Sequence, residues 1–365
     1  MIRVSVDVKP QAYEVLIESG LLLRTGAVLR EILSGRGKAF VVTVAPVRQR
    51  WGKKLMASLA DAGIAAQVIE MRDGEINKKL ATVEDLAQKL ARLGADRNSV
   101  LIAFGGGVVG DVAGLLASLY MRGVDFLQLP TTVVAQVDAS IGGKTGVNLP
   151  AGKNLVGTFH QPRAVLIDPN LLSSLPERQF RSGLYEALKS GVIGNANLFT
   201  EFENNKDKIL KREPKVLESI LADSVRLKAA IVAADEREGG LRRVLNFGHT
   251  IGHALEAETK YRKFLHGEAV AWGMVAATYI ALATGRLNSV VAGRITDAVL
   301  GLGKLPQVSV RGSNILKGLR ADKKTLDGVV HFVLPTAIGK VEVVNDVPEK
   351  VVLAAVQEIG RLSRP

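Results

Sequence analysis

The sequence predicts an α/β domain over residues 1–175 and a mainly helical domain over 176–365, an α/β plus α chain. Two observations carry this. Up to residue 175, short β-branched runs alternate with helical stretches, which implies a parallel sheet covered by helices. After Leu175-Pro176 the strand-like runs give way to long helical segments. A chain of 365 residues, 47% hydrophobic, can bury two cores.

The elements follow in order. The first seven residues alternate like a strand and do not read as a secretion signal. Residues 38–43 and 65–70 read as strands, and 82–93 as an amphipathic helix. Residues 100–104 form a buried strand, followed by glycines and a helix over about 111–121. Residues 126–129 make another strand. Segments 177–191, 214–235, 248–258 and 268–284 read as helices, 329–344 as a hairpin, and the tail as a final helix. The longest apolar run, 269–285, is about one bilayer thickness at best and rich in alanine and glycine, so it reads as a buried helix rather than a membrane span.

Composition narrows the chemistry. There is no cysteine, which excludes disulfides and thiolate metal sites; any metal must use His, Asp, Glu or water. The formal net charge is +12, but the lysines and arginines are scattered and aromatics are only 5%, so nucleic acid is not the expected partner. Several basic residues sit in glycine-rich segments, which favours a small anionic substrate carrying phosphate or carboxylate. Cytoplasmic residence is expected.

Gly105-Gly106-Gly107-Val108-Val109-Gly110-Asp111 follows a strand and opens a helix. Gly105, Gly107 and Gly110 satisfy G-x-G-x-x-G, where glycine lets the backbone approach a pyrophosphate. The usual fingerprint also wants an acidic residue about 20 positions on, at the end of a strand. Asp125 has the separation but precedes its strand, so a plain strand–helix turn stays open as an alternative. Downstream, Gly143-Lys144 and Gly152-Lys153 are Gly-Lys elements that do not complete a P-loop. They read either as phosphate clamps or as solvated loop lysines.

Three of the five histidines lie close together: His249, His253 and His266. His249 and His253 are spaced i, i+4, which puts both on one helical face and suits two ligands of one metal, with His266 as a third. Thr250 stands where a zinc peptidase has its glutamate, so a peptidase is excluded. The alternative is a helix with two structural histidines.

Together these segments resemble the 3-dehydroquinate synthase family over about residues 74–340. The resemblance is carried by Gly105–Asp111, Tyr120-Met-Arg-Gly-Val124, Gln136-Val-Asp-Ala-Ser-Ile-Gly-Gly-Lys-Thr145, Gly152-Lys-Asn154, Gly183-Leu-Tyr-Glu-Ala-Leu-Lys189, Asn246-Phe-Gly-His-Thr-Ile-Gly-His253, His266-Gly-Glu-Ala-Val270 and Asp322-Lys-Lys324. It implies an N-terminal Rossmann-like domain binding NAD and a helical domain holding zinc or cobalt. Glu186, His249 and His266 match the family's metal ligands. His253 matches a catalytic residue, which reassigns one member of the i, i+4 pair.

By the same resemblance, Arg122, Asp138, Lys144, Lys153, Asn154, Lys189, Lys228, Arg242, Asn246 and His253 match substrate-site positions, as does one of Lys323 and Lys324. Of these, Lys144, Lys189, Lys228, Arg242, Asn246 and His253 are implied in catalysis. Glu75, Lys78, Gly105, Gly106, Gly107, Asp111, Thr131, Thr132 and Ser174 match positions around NAD, with Lys144 and Lys153 beside them. Many members carry an acidic residue and an asparagine after the second sheet strand for the adenosine ribose. Here Val44 and Pro46 stand there and cannot make those hydrogen bonds.

The implied substrate is a small anionic sugar-acid phosphate, 3-deoxy-D-arabino-heptulosonate 7-phosphate. The implied reaction, a step of the shikimate pathway, is transient oxidation by NAD, phosphate elimination, re-reduction and intramolecular aldol closure. A homodimer is implied as well. The rivals are a secondary-metabolic cyclase of the epi-valiolone or scyllo-inosose synthase type and a glycerol-dehydrogenase-like enzyme. A basic nucleic-acid binder would account for the charge but for none of the motifs.

Overall fold

A computed structural model describes residues 1–9, 11–33, 38–322 and 330–364. The chain divides into two compact units: Met1–Pro176 with Leu217–Ala233, and Glu177–Val216 with Ala234–Pro365.

The first unit is built on β1 (Ile2–Val6), β2 (Tyr13–Ile17), β3 (Ala39–Val44), β4 (Ala66–Met71), β5 (Val100–Gly105), β6 (Asp125–Pro130) and β9 (Ala164–Ile167). β7 (Lys144–Leu149) and β8 (Gly152–Phe159) form a separate hairpin. The sheet runs β1-β2-β9-β6-β5-β3-β4. Only β1 and β2 pair antiparallel; the other neighbours are parallel. β3 and β5 are buried along their whole length because helices cover both faces. Leu101 and Ala103 pack with Leu86 and Leu116 on one face, while Ile102 and Phe104 pack with Leu55 and Leu59 on the other. Strand order reverses between β3 and β5, where open α/β sheets bind ligands beyond the strands' carboxyl ends.

Two local differences from the sequence reading share one cause. The helix after β5 is predicted from 111 but spans Gly107–Leu119. The Gly-Lys segments, read as loops, are β7 and β8. Glycine is a poor helix and strand former, so propensity argues against both. Tertiary packing overrides it. A Cβ at Gly114 would stand 2.4 Å from Thr145 Cγ2, and one at Gly157 would stand 2.0 Å from the Thr145 carbonyl oxygen. Gly114 makes room in the helix for the Thr145 side chain, and Gly157 lets β7 and β8 close at backbone distance.

The second unit packs helices Glu177–Gly194 and His249–Glu258 against His266–Ala283, with the hairpin β10 (Phe332–Ala337) and β11 (Lys340–Val344) and the final helix Glu349–Leu362. The apolar run is the buried helix His266–Ala283, with Val270, Trp272, Met274 and Ile280 in the core. Among the described residues, no helix is long and apolar enough to cross a membrane. The helix pair meets at a glycine seam. A Cβ at Gly273 would lie 1.8 Å from the Gly248 oxygen, and one at Gly252 would lie 3.0 Å from the Ala269 oxygen.

The sequence predicts one crossing near residue 175. The helix Pro214–Ala234 breaks that rule, because residues 217–233 group with the first unit. Its polar ties explain why. The Ser19 amide donates to Glu218 Oε1 at 2.7 Å, and Lys228 Nζ pairs with Asp138 Oδ1 at 2.5 Å.

Candidate metal and dinucleotide sites

The second unit gathers its titratable groups around Glu186. The helix Glu177–Gly194 is anchored against the N-terminus of His266–Ala283. Arg178 donates to both Glu268 oxygens at 2.6 and 2.7 Å, and the Gly267 amide donates to Ser182 Oγ at 3.1 Å. Glu186 is 1% exposed. Lys189 Nζ stands 2.6 Å from its Oε2, but off the hydrogen-bonding direction, so neither carboxylate oxygen has a hydrogen bond. Buried carboxylate oxygens without a hydrogen bond are rare and call for a ligand.

Two histidines face that carboxylate: His249 Nε2 is 3.8 Å and His266 Nε2 is 3.5 Å from Glu186 Oε1. Each ring engages an acceptor through its other nitrogen. His249 Nδ1 lies 3.2 Å from the Phe247 carbonyl, and His266 Nδ1 lies 3.3 Å from Glu256 Oε2. Acceptors at Nδ1 put the proton there and leave both Nε2 lone pairs facing Glu186. Burial holds His249 well below the ordinary histidine range, with Lys189, His253 and His266 adding to the effect. A neutral imidazole is the form that ligates a metal. Nitrogen atoms of His249, His253 and His266 also lie within 4.8 Å of one another, so His253 stands at the same centre, on its exposed side. These two imidazole nitrogens beside a buried carboxylate without a hydrogen bond fit a divalent cation of the zinc or cobalt kind, with room for further ligands.

Nearby in sequence, a carboxylate cage shapes the segment before Arg242 and Asn246. Asp235 accepts the amides of Gly239, Gly240 and Arg242 at 2.7, 2.8 and 2.9 Å. Those amides, that of Arg242 foremost, hold its carboxyl down at about 2. Arg242 is buried and donates to the Glu236 carbonyl at 2.5 Å, and Asn246 donates to Glu238 Oε1 at 3.3 Å.

In the first unit, Gly106 caps the helix Gly107–Leu119 without a side-chain hydrogen bond, so the first helical amides stay open to an anion. A Cβ at Gly106 would press on Thr132, and one at Gly107 on Ala139. The Thr131 amide binds the Gly105 carbonyl at 2.9 Å, and Thr132 Oγ1 accepts the Ala135 amide at 3.2 Å. Beyond β3 and β4 lies a cavity of about 750 Å3 lined by Ala45, Met71, Arg72, Asp73, Asn77 and Lys79 among others.

Lys78 ties several of the named positions together. It pairs with Asp111 at 2.5 Å and donates to Asn154 Oδ1. Burial pushes the Asp111 carboxyl up to about 6, with Lys78 pulling the other way. Asn148 completes the network: Nδ2 donates to Glu75 Oε1 at 2.7 Å, Oδ1 accepts the Asn154 amide at 2.9 Å, and its amide donates to the Lys78 carbonyl at 2.8 Å. Asn154 and Arg122 both sit in the left-handed region, at φ 57° and 69°. Such strain persists only where surroundings hold it, and it clusters at functional sites.

Not every named position is gathered. Ser174 Oγ is occupied by Trp51 Nε1 and the Leu171 carbonyl, at 2.9 and 3.1 Å. Lys144 is exposed at the start of β7 and Lys153 half-buried on β8. Lys323 and Lys324 lie outside the described residues. Asn148, Asp235 and Glu256 are functional candidates that sequence reasoning missed. Glu256 carried a usable signal, since 249, 253 and 256 share one helical face.

Known proteins are similar to this chain over its length. The 3-dehydroquinate synthase N-terminal family model matches residues 68–182, and the C-terminal model matches residues 183–325. A 3-dehydroquinate synthase of Koribacter versatilis (strain Ellin345) is 52% identical over 363 residues, covering 100% of this chain and 99% of its own. That of Solibacter usitatus (strain Ellin6076) is 48% identical, covering 96% and 98%. A solved 2-epi-5-epi-valiolone synthase from Streptomyces hygroscopicus subsp. jinggangensis 5008, with NAD+ and Zn2+ bound, superposes with a TM-score of 0.88 at 32% identity, covering 97% of this chain and 98% of that one. Two family models meeting at residue 182/183, and relatives matched end to end, establish that the chain belongs to the 3-dehydroquinate synthase family.

Proposed function

We propose that the chain converts 3-deoxy-D-arabino-heptulosonate 7-phosphate to 3-dehydroquinate and phosphate, with NAD and a divalent metal as cofactors. The observation that carries this reading is the buried Glu186 carboxylate, without a hydrogen bond and facing His249 and His266, in a chain 52% identical to a 3-dehydroquinate synthase along its whole length. The epi-valiolone synthase likeness, at 32%, is the weaker of the two.

When bound, NAD accepts and returns a hydride, and the metal supplies Lewis acidity. Glu186, His249 and His266 would hold the metal. The open amides at Gly106 and Gly107, with Thr131 and Thr132 beside them, suit the dinucleotide pyrophosphate. Lys78, paired to Asp111, braces that side. Lys144, Lys153, Asn154 and Arg122 are assigned to the substrate's anionic groups, where charge-assisted bonds stabilise departing phosphate. Lys189, Lys228 with Asp138, Arg242 and Asn246 are assigned to orienting the substrate. A cytoplasmic homodimer belongs to the same reading.

The test is phosphate release from the heptulosonate phosphate. Release is expected to need both NAD and metal and to stop on chelation. Net accumulation of NADH from polyols, with no phosphate released, would instead identify a dehydrogenase.

His253 is assigned to proton transfer rather than coordination. His253→Ala is expected to keep its metal and lose about 100-fold or more in kcat. Metal analysis alongside kinetics checks this. Metal loss matching that of His249→Ala would make His253 a ligand.

A further inference from the structure

The two imidazoles facing Glu186 differ at their outer edges. His249 turns Nδ1 to a neutral carbonyl, that of Phe247. His266 turns Nδ1 to a carboxylate, Glu256 Oε2, at 3.3 Å. Glu256 is 3% exposed. A carboxylate that far from water is retained only where its charge is compensated.

We propose that Glu256 is a positioning residue of the metal centre: it accepts the Nδ1 proton of His266, fixes that ring's tautomer and supplies the site's second negative charge. The proposal rests on the reading that Glu186, His249 and His266 hold a divalent metal. His266 bridges the two carboxylates, with Nε2 3.5 Å from Glu186 and Nδ1 3.3 Å from Glu256. A carboxylate behind a ligating imidazole makes it a stronger donor and holds its plane. Charge balance points the same way. Lys189 stands 2.6 Å from Glu186 and offsets its charge, so a dication would otherwise meet no net negative charge from that pair. Glu256 restores one. The neighbouring buried acid, Glu268, cannot take this role: Arg178 and the Leu265 amide occupy both its oxygens. Its work is to cap the helix that carries His266.

The experiment titrates the metal-stripped full-length chain with Co2+ against a competing chelator and records the visible Co2+ absorption. Glu256→Ala is expected to weaken Co2+ binding by about 10- to 100-fold and to shift the absorption band, because the donor strength of His266 changes. Glu256→Gln keeps an acceptor oxygen and the side-chain volume but not the charge, so it should fall between Ala and the unsubstituted chain. It carries the test if Ala does not fold. Co2+ affinity within twofold of the unsubstituted chain in the folded variants, with only the melting temperature of the metal-free chain lowered, would mark Glu256 as structural and overturn the proposal. Absence of Co2+ binding by the unsubstituted chain would overturn the metal reading itself, and this proposal with it.

Discussion

Glu186→Ala is expected to leave the chain without metal and to lower kcat/KM by on the order of 1,000-fold or more, the equivalent of about 4 kcal/mol of lost Lewis-acid stabilisation. The carboxylate is the anionic member of the proposed ligand set, and its oxygens have no hydrogen bond to fall back on. Removing it also strands Lys189, which is 3% exposed and 2.6 Å away. Breaking a buried pair costs about 3–5 kcal/mol, so reduced stability could be mistaken for loss of a ligand. Glu186→Gln separates the two, because the amide keeps the volume and still offers Lys189 an acceptor. Metal content by elemental analysis, with melting curves on both variants, decides. Full metal occupancy in both would remove Glu186 from the ligand set.

Gly273→Ala should be among the most damaging single methyls in the second unit. Its Cβ would sit 1.8 Å from the Gly248 oxygen, 2.7 Å from the Gly248 carbon and 2.9 Å from the Gly252 nitrogen. All three obstacles are backbone, so no side chain can swing away. The helix His249–Glu258 would have to move. Overpacking of this kind costs about 1–3 kcal/mol and more where backbone must shift, which corresponds to a fall in Tm of roughly 3–10 °C. Because that helix carries His249 and His253, Co2+ affinity should fall together with Tm. A variant with unchanged Tm and unchanged metal affinity would show that the helix pair can open without cost. The exposed Gly293, whose Cβ would meet nothing within 4 Å, is the control.

The fold was readable where periodicity is strong. β3, β4, β5 and β6 lie within two residues of their predicted spans; in β3, β5 and β6 near-continuous burial makes the apolar runs unmistakable. The β7–β8 hairpin and the start of the helix at Gly107 were not, because glycines there serve a close approach that only the packed structure reveals. The histidine cluster stood out from spacing alone, and the structure gathers all three rings; spacing offers His253 as a ligand, the resemblance as a catalytic group. Glu186, on another helix, entered through family resemblance, since no local pattern links residue 186 to residue 249. Asn148 left no signal, because its bonds to Lys78 and Glu75 join the end of β7 to residues some seventy positions away.

The glycine seam between the helices bearing the histidines has a consequence for how the metal arrives. Gly252 and Gly273 bring two backbones together with no yielding side chain between them. The bite of the chelate is therefore set by the polypeptide before any cation is present, the reverse of small zinc modules that fold around their ion. Stripped of metal, the chain should persist as a finished vessel, able to be refilled. The cell's free-metal level then sets how much of the standing pool is active, and activity can rise or fall without making or destroying a single chain.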